Sequence, residues 1–469
     1  MVSPSDPRRE AASDRYVCVD FGSTFTKVIE VAADGRLLAT GSARTTIDTD
    51  VMDGYDLALD DAGIVVGDAE VLACSSAGGG LRIAVIGYER AITAEAGYRV
   101  GLSAGGRVCH VTSGELDDAA IAELADSRPD VLLLVGGTDG GNSEVLLHNA
   151  RSLARAGLSL PVVLAGNADA ADQVRRVLRR RNVPVSVAAN VLPKIGVLDP
   201  RSAREAIREA FIDHVIGGKH LSTRVDLATF VEAATPDAVL SGVELLADGV
   251  GDSHGVGDVV VVDVGGATTD VYSVTSPDLD DNLADREAVA TLWRSRTVEG
   301  DLGVRWNAPS ILDAGVREGM LTQGEHERLV TECDLRRAEP GFVPYDTAGA
   351  EVDQLLATVA SRVALRRHAR PHTTGEVRYP GKDLSRVALV VGSGGVLRHC
   401  DARRAEALVR EAVEDPAGGW RHPERARYVV DRDYVLAAAG LIGRREPATA
   451  VALLQGSLVG GSGISLRNR

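Results

Sequence analysis

One arrangement occurs twice in this chain and limits its fold more than any other feature. An apolar strand ends in Asp, a glycine-rich turn follows, and a second apolar strand leads away. The first copy runs through Tyr16-Val-Cys-Val-Asp20, then Phe21-Gly22-Ser23-Thr24, then Thr26-Lys-Val-Ile-Glu-Val31. The second runs through Val259-Val-Val-Val-Asp263, then Gly265-Gly266-Ala267-Thr268-Thr269-Asp270, then Val271-Tyr-Ser-Val274. Glycine lets backbone N–H groups come close to a phosphate, and short hydroxyl side chains add donors. An Asp at the strand end can hold a divalent cation, because magnesium keeps most of its waters and takes one or two carboxylates plus phosphate oxygens. Two such loops on two lobes would clamp the β- and γ-phosphates of ATP or ADP from opposite sides. Gly22, Ser23, Thr24, Gly265, Gly266, Thr268 and Thr269 are the expected phosphate donors, with Thr269 alternatively a strand residue facing away. Asp20 and Asp263 are the expected carboxylates for magnesium and its waters.

A third strand–glycine unit follows at Val387-Ala-Leu-Val-Val391-Gly392-Ser393-Gly394-Gly395-Val396. It would pack under an adenosine, where a bulky side chain would block the base or ribose, so Gly392, Gly394 and Gly395 are the expected contacts. None of the three units fits the Walker pattern G-x-x-x-x-G-K-[ST].

Between the two hairpins the pattern changes. Arg82-Ile-Ala-Val-Ile86, Val108-Cys-His-Val111, Val131-Leu-Leu-Leu-Val135, Val162-Val-Leu-Ala165 and Val185-Ser-Val-Ala188 read as strands that alternate with helical stretches such as Leu116–Ala125 and Ala170–Arg181. Such alternation predicts a mostly parallel α/β sheet. Asn190–Pro200 reads as a loop, Ser202–Val215 as an amphipathic helix, and Tyr434–Leu454 as largely helical. The acidic run Asp278–Asp285 is expected to be exposed. The expected organisation is a disordered tail over 1–14 and the start of a first lobe over 15–80 with the first phosphate loop. An α/β subdomain follows over 81–185, then an inter-lobe connection with helices over 186–254. A second lobe over 255–469 carries the second phosphate loop, the adenosine unit and C-terminal helices.

The three units in this order resemble the actin, heat-shock ATPase and sugar-kinase superfamily. That resemblance implies a two-lobed α/β actin-like ATPase fold of duplicated ribonuclease-H-like domains, here with an α/β subdomain inserted in the first lobe. By analogy it places Asp270 as a third carboxylate near the metal or the attacking water, beside Asp20 and Asp263 as the catalytic set. The chain departs from the superfamily where Ala267 follows Gly266, a methyl that is tolerable if φ there is negative. No residues of this chain are matched to the catalytic Lys and Glu of heat-shock ATPases, so slow turnover is expected. Four further runs, Cys74-Ser-Ser-Ala-Gly-Gly-Gly-Leu-Arg82, Leu134-Val-Gly-Gly-Thr-Asp-Gly-Gly-Asn142, Asn190-Val-Leu-Pro-Lys-Ile-Gly196 and Glu299-Gly-Asp-Leu-Gly-Val-Arg305, are similar to the GlmL family. Its members are also called MutL, and they are unrelated to the mismatch-repair protein of that name. The resemblance runs from about residue 16 to the C-terminus. It implies an accessory, reactivating ATPase with adenosylcobalamin-dependent mutase subunits as partners, a weak ATPase acting as a nucleotide switch.

Other positions stay open at this stage. Lys27 faces phosphate or solvent. Lys194 lies in a loop placed at the inter-lobe connection, as a cleft residue or a surface charge. Gly136–Asn142 is a ligand loop, a partner loop or a plain strand-to-helix turn. Glu299–Arg305 is expected to begin a helix over the nucleotide, with Gly300 and Gly303 as hinges and Arg305 as either a ligand or an internal ion pair.

Composition removes several other classes. A net charge of −16 argues against recruitment by nucleic acid. Five scattered cysteines carry no metal-cage or cluster spacing, and with a polar Met1–Arg15 segment they fit a reducing cytoplasm. No stretch reaches the ~20 apolar residues of a membrane helix. The scattered thiols also argue against an iron–sulfur activator. The remaining alternatives are a small-molecule kinase of the same fold and an actin-like assembly protein.

Overall fold

The computed structural model describes residues 14–460 except 78–79, 220, 226, 277–292, 375–376 and 380. Strand β1 (Arg15–Phe21) forms an antiparallel meander with β2 (Phe25–Ala32) and β3 (Leu37–Arg44). The β2–β3 turn is set by Gly35, at a φ of 85°, and by Asp34, whose carboxylate accepts the Arg36 N–H. Strand β4 (Glu70–Ser75) returns parallel to β1. Successive β1 side chains point to opposite faces. Val17, Val19 and Phe21 enter one core, and Tyr16 and Cys18 enter another.

The chain then builds a separate all-parallel sheet from β5 (Arg82–Gly87), β6 (Arg107–Ser113), β7 (Val131–Leu134), β8 (Val162–Leu164) and β9 (Val185–Val187). Its order is β6-β5-β7-β8-β9. Helices cover both faces, which is why its inner strands read as continuous apolar runs. Strand β10 (Val231–Ala234) next pairs parallel with β4 and closes the first sheet as β3-β2-β1-β4-β10.

A crossing helix, Thr235–Asp248, leads to the second lobe. There β11 (Val259–Val264), β12 (Thr269–Val274) and β13 (Arg294–Glu299) form a second antiparallel meander. Strands β14 (Leu389–Ser393) and β15 (Arg427–Val430) lie parallel to β11, giving the order β13-β12-β11-β14-β15. The two sheets thus share one topology, strand for strand. The molecule has a two-lobed, actin-like ATPase fold of duplicated ribonuclease-H-like domains.

The lobes share a core as well as a plan. The crossing helix packs on the helix Val435–Ile442 so closely that a Cβ added at Gly242 would strike the Leu436 carbonyl, and one at Gly440 the Ala238 carbonyl. Leu240 and Val243 of the crossing helix are buried with Leu72 of the first sheet and Val259 and Val261 of the second.

The structure differs from the sequence reading in one connection. The chain passes between lobes through Thr235–Asp248, not through Asn190–Gly196. That loop folds back on the inserted sheet, where Asn190 Nδ2 donates to Gly137 O (3.0 Å) and Asp139 Oδ1 (2.8 Å), and it leaves Lys194 exposed. The helix expected over Ser202–Val215 begins as Arg201–Ala210. Ser202 does not cap it but accepts the Ala189 N–H. The tail 1–13 and Asp278–Asp285 lie outside the described residues. Among the described residues no helix is long and apolar enough to cross a membrane.

Candidate functional site

A cleft of about 830 Å³ opens between the two sheets, and all three glycine units face it. Register places the two strand-end carboxylates alike. Asp20 stands opposite Lys27 on β2 and beside Cys74 on β4; Asp263 stands opposite Asp270 on β12 and beside Ser393 on β14. Lys27 in one lobe therefore occupies the place that Asp270 occupies in the other. Directly opposed residues share a face, so Lys27 points into the cleft with Asp20.

The Lys27 ammonium donates to Asp20 Oδ2 at 2.7 Å and lies 4.4 Å from the centre of the Tyr434 ring. Asp20 Oδ1 accepts the Thr235 hydroxyl at 2.6 Å. Burial works against the Lys27 charge, but the Asp20 carboxylate outweighs it and holds the amine above its usual range. Across the cleft, burial lifts the Asp263 carboxyl from 3.8 to about 6; Lys27 and the Ser393 hydroxyl oppose that rise, while Asp270 and Asp20 add to it.

Asp270 lines the cleft but has both oxygens engaged. Oδ1 accepts Arg296 Nε at 2.9 Å and Nη2 at 2.6 Å, and Oδ2 accepts the Thr268 hydroxyl at 2.9 Å. Arg305 takes the internal of its two readings. It pairs with Asp353 (2.7 Å) and donates to Phe342 O (3.0 Å), while its backbone N–H holds Gly266 O.

Ser23 and Thr24 of the first loop and Gly265, Gly266 and Thr268 of the second line the cleft, as does Gly22. The loops come close: a Cβ at Gly266 would lie 3.2 Å from Thr24 Oγ1. That hydroxyl is buried and has no partner among the described residues. A buried polar atom without a protein partner is rare and needs a water or a ligand to satisfy it. Among the described residues no three His, Cys, Asp or Glu side chains gather into a metal cage. Two carboxylates with room for water and phosphate oxygens suit magnesium, which dehydrates reluctantly.

Two expected contacts are corrected. Thr269 is fully buried and donates to Leu302 O at 2.7 Å, so it faces away from the cleft, as strand alternation beside Thr268 and Asp270 requires. Thr269→Val is expected to lower stability by about 1 kcal/mol while leaving nucleotide affinity unchanged, read by thermal melting and titration. Gly392 likewise points away, into the Val409 and Leu397 side chains, and the cleft-facing neighbour is Ser393. Gly394 and Gly395 do line the cleft, and Gly394, at a φ of 108°, leaves no room for a Cβ against Val264 O.

Ala267 is absent from the positive-φ residues, so its methyl is unstrained. Gly303 packs on its backbone and is needed there for close approach rather than as a hinge. Glu299–Arg305 forms the end of β13 and a turn; the helix begins only at Ala308. Gly136–Asn142 is a strand-to-helix turn tied down internally, with Asn167 Nδ2 on Gly141 O at 3.0 Å and Asp139 on the Ala168 N–H at 2.9 Å.

The sequence reading missed Asp431, Tyr434, Thr235 and Arg296, all of which line the cleft. Asp431 caps the helix Val435–Ile442, accepting the N–H groups of Val435 (3.0 Å) and Leu436 (3.2 Å). Burial lifts its carboxyl to about 6 against those two donors, with Asp263 adding. The start signal in the sequence is the Asp nearest the apolar run, Asp433, and nothing local distinguishes Asp431 from it.

The MutL protein family model matches residues 16–458. Protein MutL of Clostridium tetanomorphum is 36% identical over 461 residues, covering 95% of this chain and 99% of that protein. Among solved structures, nucleotide-free acetone carboxylase aligns with 92% of this chain and 70% of its own at 16% identity and a TM-score of 0.40. The activator of 2-hydroxyisocaproyl-CoA dehydratase from Clostridium difficile, with bound ADPNP, aligns with 96% and 99% at 9% identity and a TM-score of 0.32.

Proposed function

The chain belongs to the MutL protein family, and from that premise we propose that it is a nucleotide-switched reactivating factor for an adenosylcobalamin-dependent mutase, glutamate mutase or a related aminomutase. The observation that carries the nucleotide part is the facing pair of hairpins, with Asp20, Lys27 and Asp263 around one cleft and the unpartnered Thr24 hydroxyl between them. The mutase part rests on the family.

A magnesium nucleotide would supply a compact, highly charged phosphate chain that differs between ATP and ADP. The protein's own groups are placed to recognise it. The backbone N–H of Gly266 and the hydroxyls of Ser23, Thr24 and Thr268 donate to phosphate oxygens, while the N–H groups of Gly22 and Gly265 close their turns on Phe25 O and Thr268 O and shape the loops. Lys27 offsets phosphate charge, and Asp20 and Asp263 hold the waters of the cation. Gly394 and Gly395 give the adenosine a flat floor. Hydrolysis in such a site would be mostly positioning and charge stabilisation, and slow. A switch needs the two nucleotide states to bind the mutase with different affinity, tenfold for every 1.4 kcal/mol or so of difference.

Two outcomes test this reading. Mutase inactivated with hydroxocobalamin should regain activity when the protein, magnesium ATP and fresh adenosylcobalamin are added together, and not with ADP alone. Failure to revive either glutamate mutase or an aminomutase under those conditions would remove the proposed role. Because Asp263 must be ionised to hold the cation and its carboxyl sits at about 6, magnesium-nucleotide affinity should also weaken by up to about tenfold per pH unit below that value. Calorimetric titration across that range reads it directly.

A further inference from the structure

A polar chain, buried beyond its first residue, leaves the second phosphate loop and ends outside the lobe that carries it. The Thr268 hydroxyl donates to Asp270 Oδ2 at 2.9 Å. Asp270 Oδ1 accepts Nε and Nη2 of Arg296. The third guanidinium nitrogen, Nη1, donates to Gly106 O at 3.3 Å. Gly106 lies in the turn between the helix Glu95–Ser103 and β6, within the inserted α/β subdomain. Arg296 is 5% exposed and Asp270 7%, so water competes little for their pairing, while Thr268 is half-buried on the cleft wall where a ligand can reach it.

The receiving turn is closely seated. A Cβ at Gly105 would lie 2.7 Å from the Asp237 N–H nitrogen, and one at Gly106 would strike the Ile83 side chain. Asp237 itself is on the crossing helix and is gripped by Arg204, Arg208 and Arg444. A shift at Gly105–Gly106 is therefore felt by β5 of the inserted subdomain and by the start of the helix that joins the lobes.

The Thr268 hydroxyl has one proton to give. It can satisfy Asp270 or a phosphate oxygen in the cleft, not both. When it turns to phosphate, Asp270 Oδ2 loses its donor, and the donors best able to replace it belong to Arg296. The longest bond of the chain, Arg296 to Gly106 O, is the one that yields. We propose that Thr268, Asp270, Arg296 and the Gly106 carbonyl form a relay that reports terminal-phosphate occupancy to the inserted subdomain. That subdomain is then a nucleotide-controlled element, and Arg296 is a positioning residue. The relay rests on the reading of the cleft as a nucleotide site.

Hydrogen exchange on the full chain tests it, with magnesium ADP and with a non-hydrolysable ATP analogue, each shown by titration to be bound. In the wild type, amides at 104–113 should exchange at rates that differ by about fivefold or more between the two states, the low end of ordinary coupling. Arg296→Lys keeps a positive charge beside Asp270 but cannot bridge to Gly106. It should bind both nucleotides and lose the difference. Equal exchange at 104–113 in the two bound states of the wild type, or a full difference retained by Arg296→Lys, would overturn the relay while leaving the nucleotide site standing. Absence of nucleotide binding in the wild type would overturn both.

Discussion

Asp263→Asn is expected to raise the melting temperature of the nucleotide-free protein at neutral pH and, in the same molecule, to weaken magnesium-dependent nucleotide binding severely. The two effects share a cause. Burial, with Asp270 and Asp20 nearby, lifts the Asp263 carboxyl from 3.8 to about 6, so the folded state holds this proton more tightly than the unfolded chain does. The resulting contribution to stability is complete below about 3.8 and is lost as pH rises through about 6. Above that range the wild type carries a half-buried charge, beside Asp270 and Asp20, that the amide does not. At about 1.4 kcal/mol per tenfold change in the proton equilibrium, the gain from the substitution is of the order of 2–3 kcal/mol, or a few degrees in Tm for a chain of this size. Near pH 4 the two proteins should melt together. The amide cannot hold a cation's waters as a carboxylate does, and a loss of affinity of about 30-fold or more, roughly 2 kcal/mol, is expected. Melting curves at two pH values beside calorimetric titration check both halves.

The second large effect is steric. Gly440→Ala adds one methyl group where the helix Val435–Ile442 crosses Thr235–Asp248, and that methyl would meet the Ala238 carbonyl. The obstructing atoms are backbone, so no rotamer change relieves the contact and the helices must part. Overpacking costs typically about 1–3 kcal/mol and sometimes more. A cost at or above the top of that range is expected here, because the same helix pair joins both sheets in one core. Gly456→Ala is the control, since a Cβ there meets nothing within 4 Å. A Tm for Gly440→Ala within a degree or so of the control would show that the lobes are not braced by this crossing.

Both hairpins were legible because apolar runs that end in Asp and break at glycine are short-range signals. The turns, the strand-end carboxylates and the third glycine unit all follow from them. Which side chain faced the cleft was less legible. Lys27 is committed to it only once β1 and β2 are paired with Asp20 opposite Lys27. Gly392 reads as a cleft contact and Thr269 as either a phosphate donor or a strand residue facing away; period-2 alternation beside Thr268 and Ser393 turns both from the cleft.

Contacts between distant segments could not be read at all. Thr235 reaches Asp20 from more than two hundred positions along the chain, and Arg296 bonds a carbonyl at Gly106 in another subdomain. The misplaced connection at Asn190–Gly196 has the same origin. A loop with Pro and Gly looks like a link between lobes until Asn190 is seen bonded to Gly137 and Asp139.

The central claim is that this cleft binds a magnesium nucleotide through Asp20 and Asp263. Calorimetric titration of the purified protein with ADP and ATP, with and without magnesium, beside Asp20→Ala and Asp263→Ala, tests it most directly. The account predicts magnesium-dependent binding by the wild type that is lost in both variants. A wild type that binds neither nucleotide, or variants that bind as the wild type does, would contradict it.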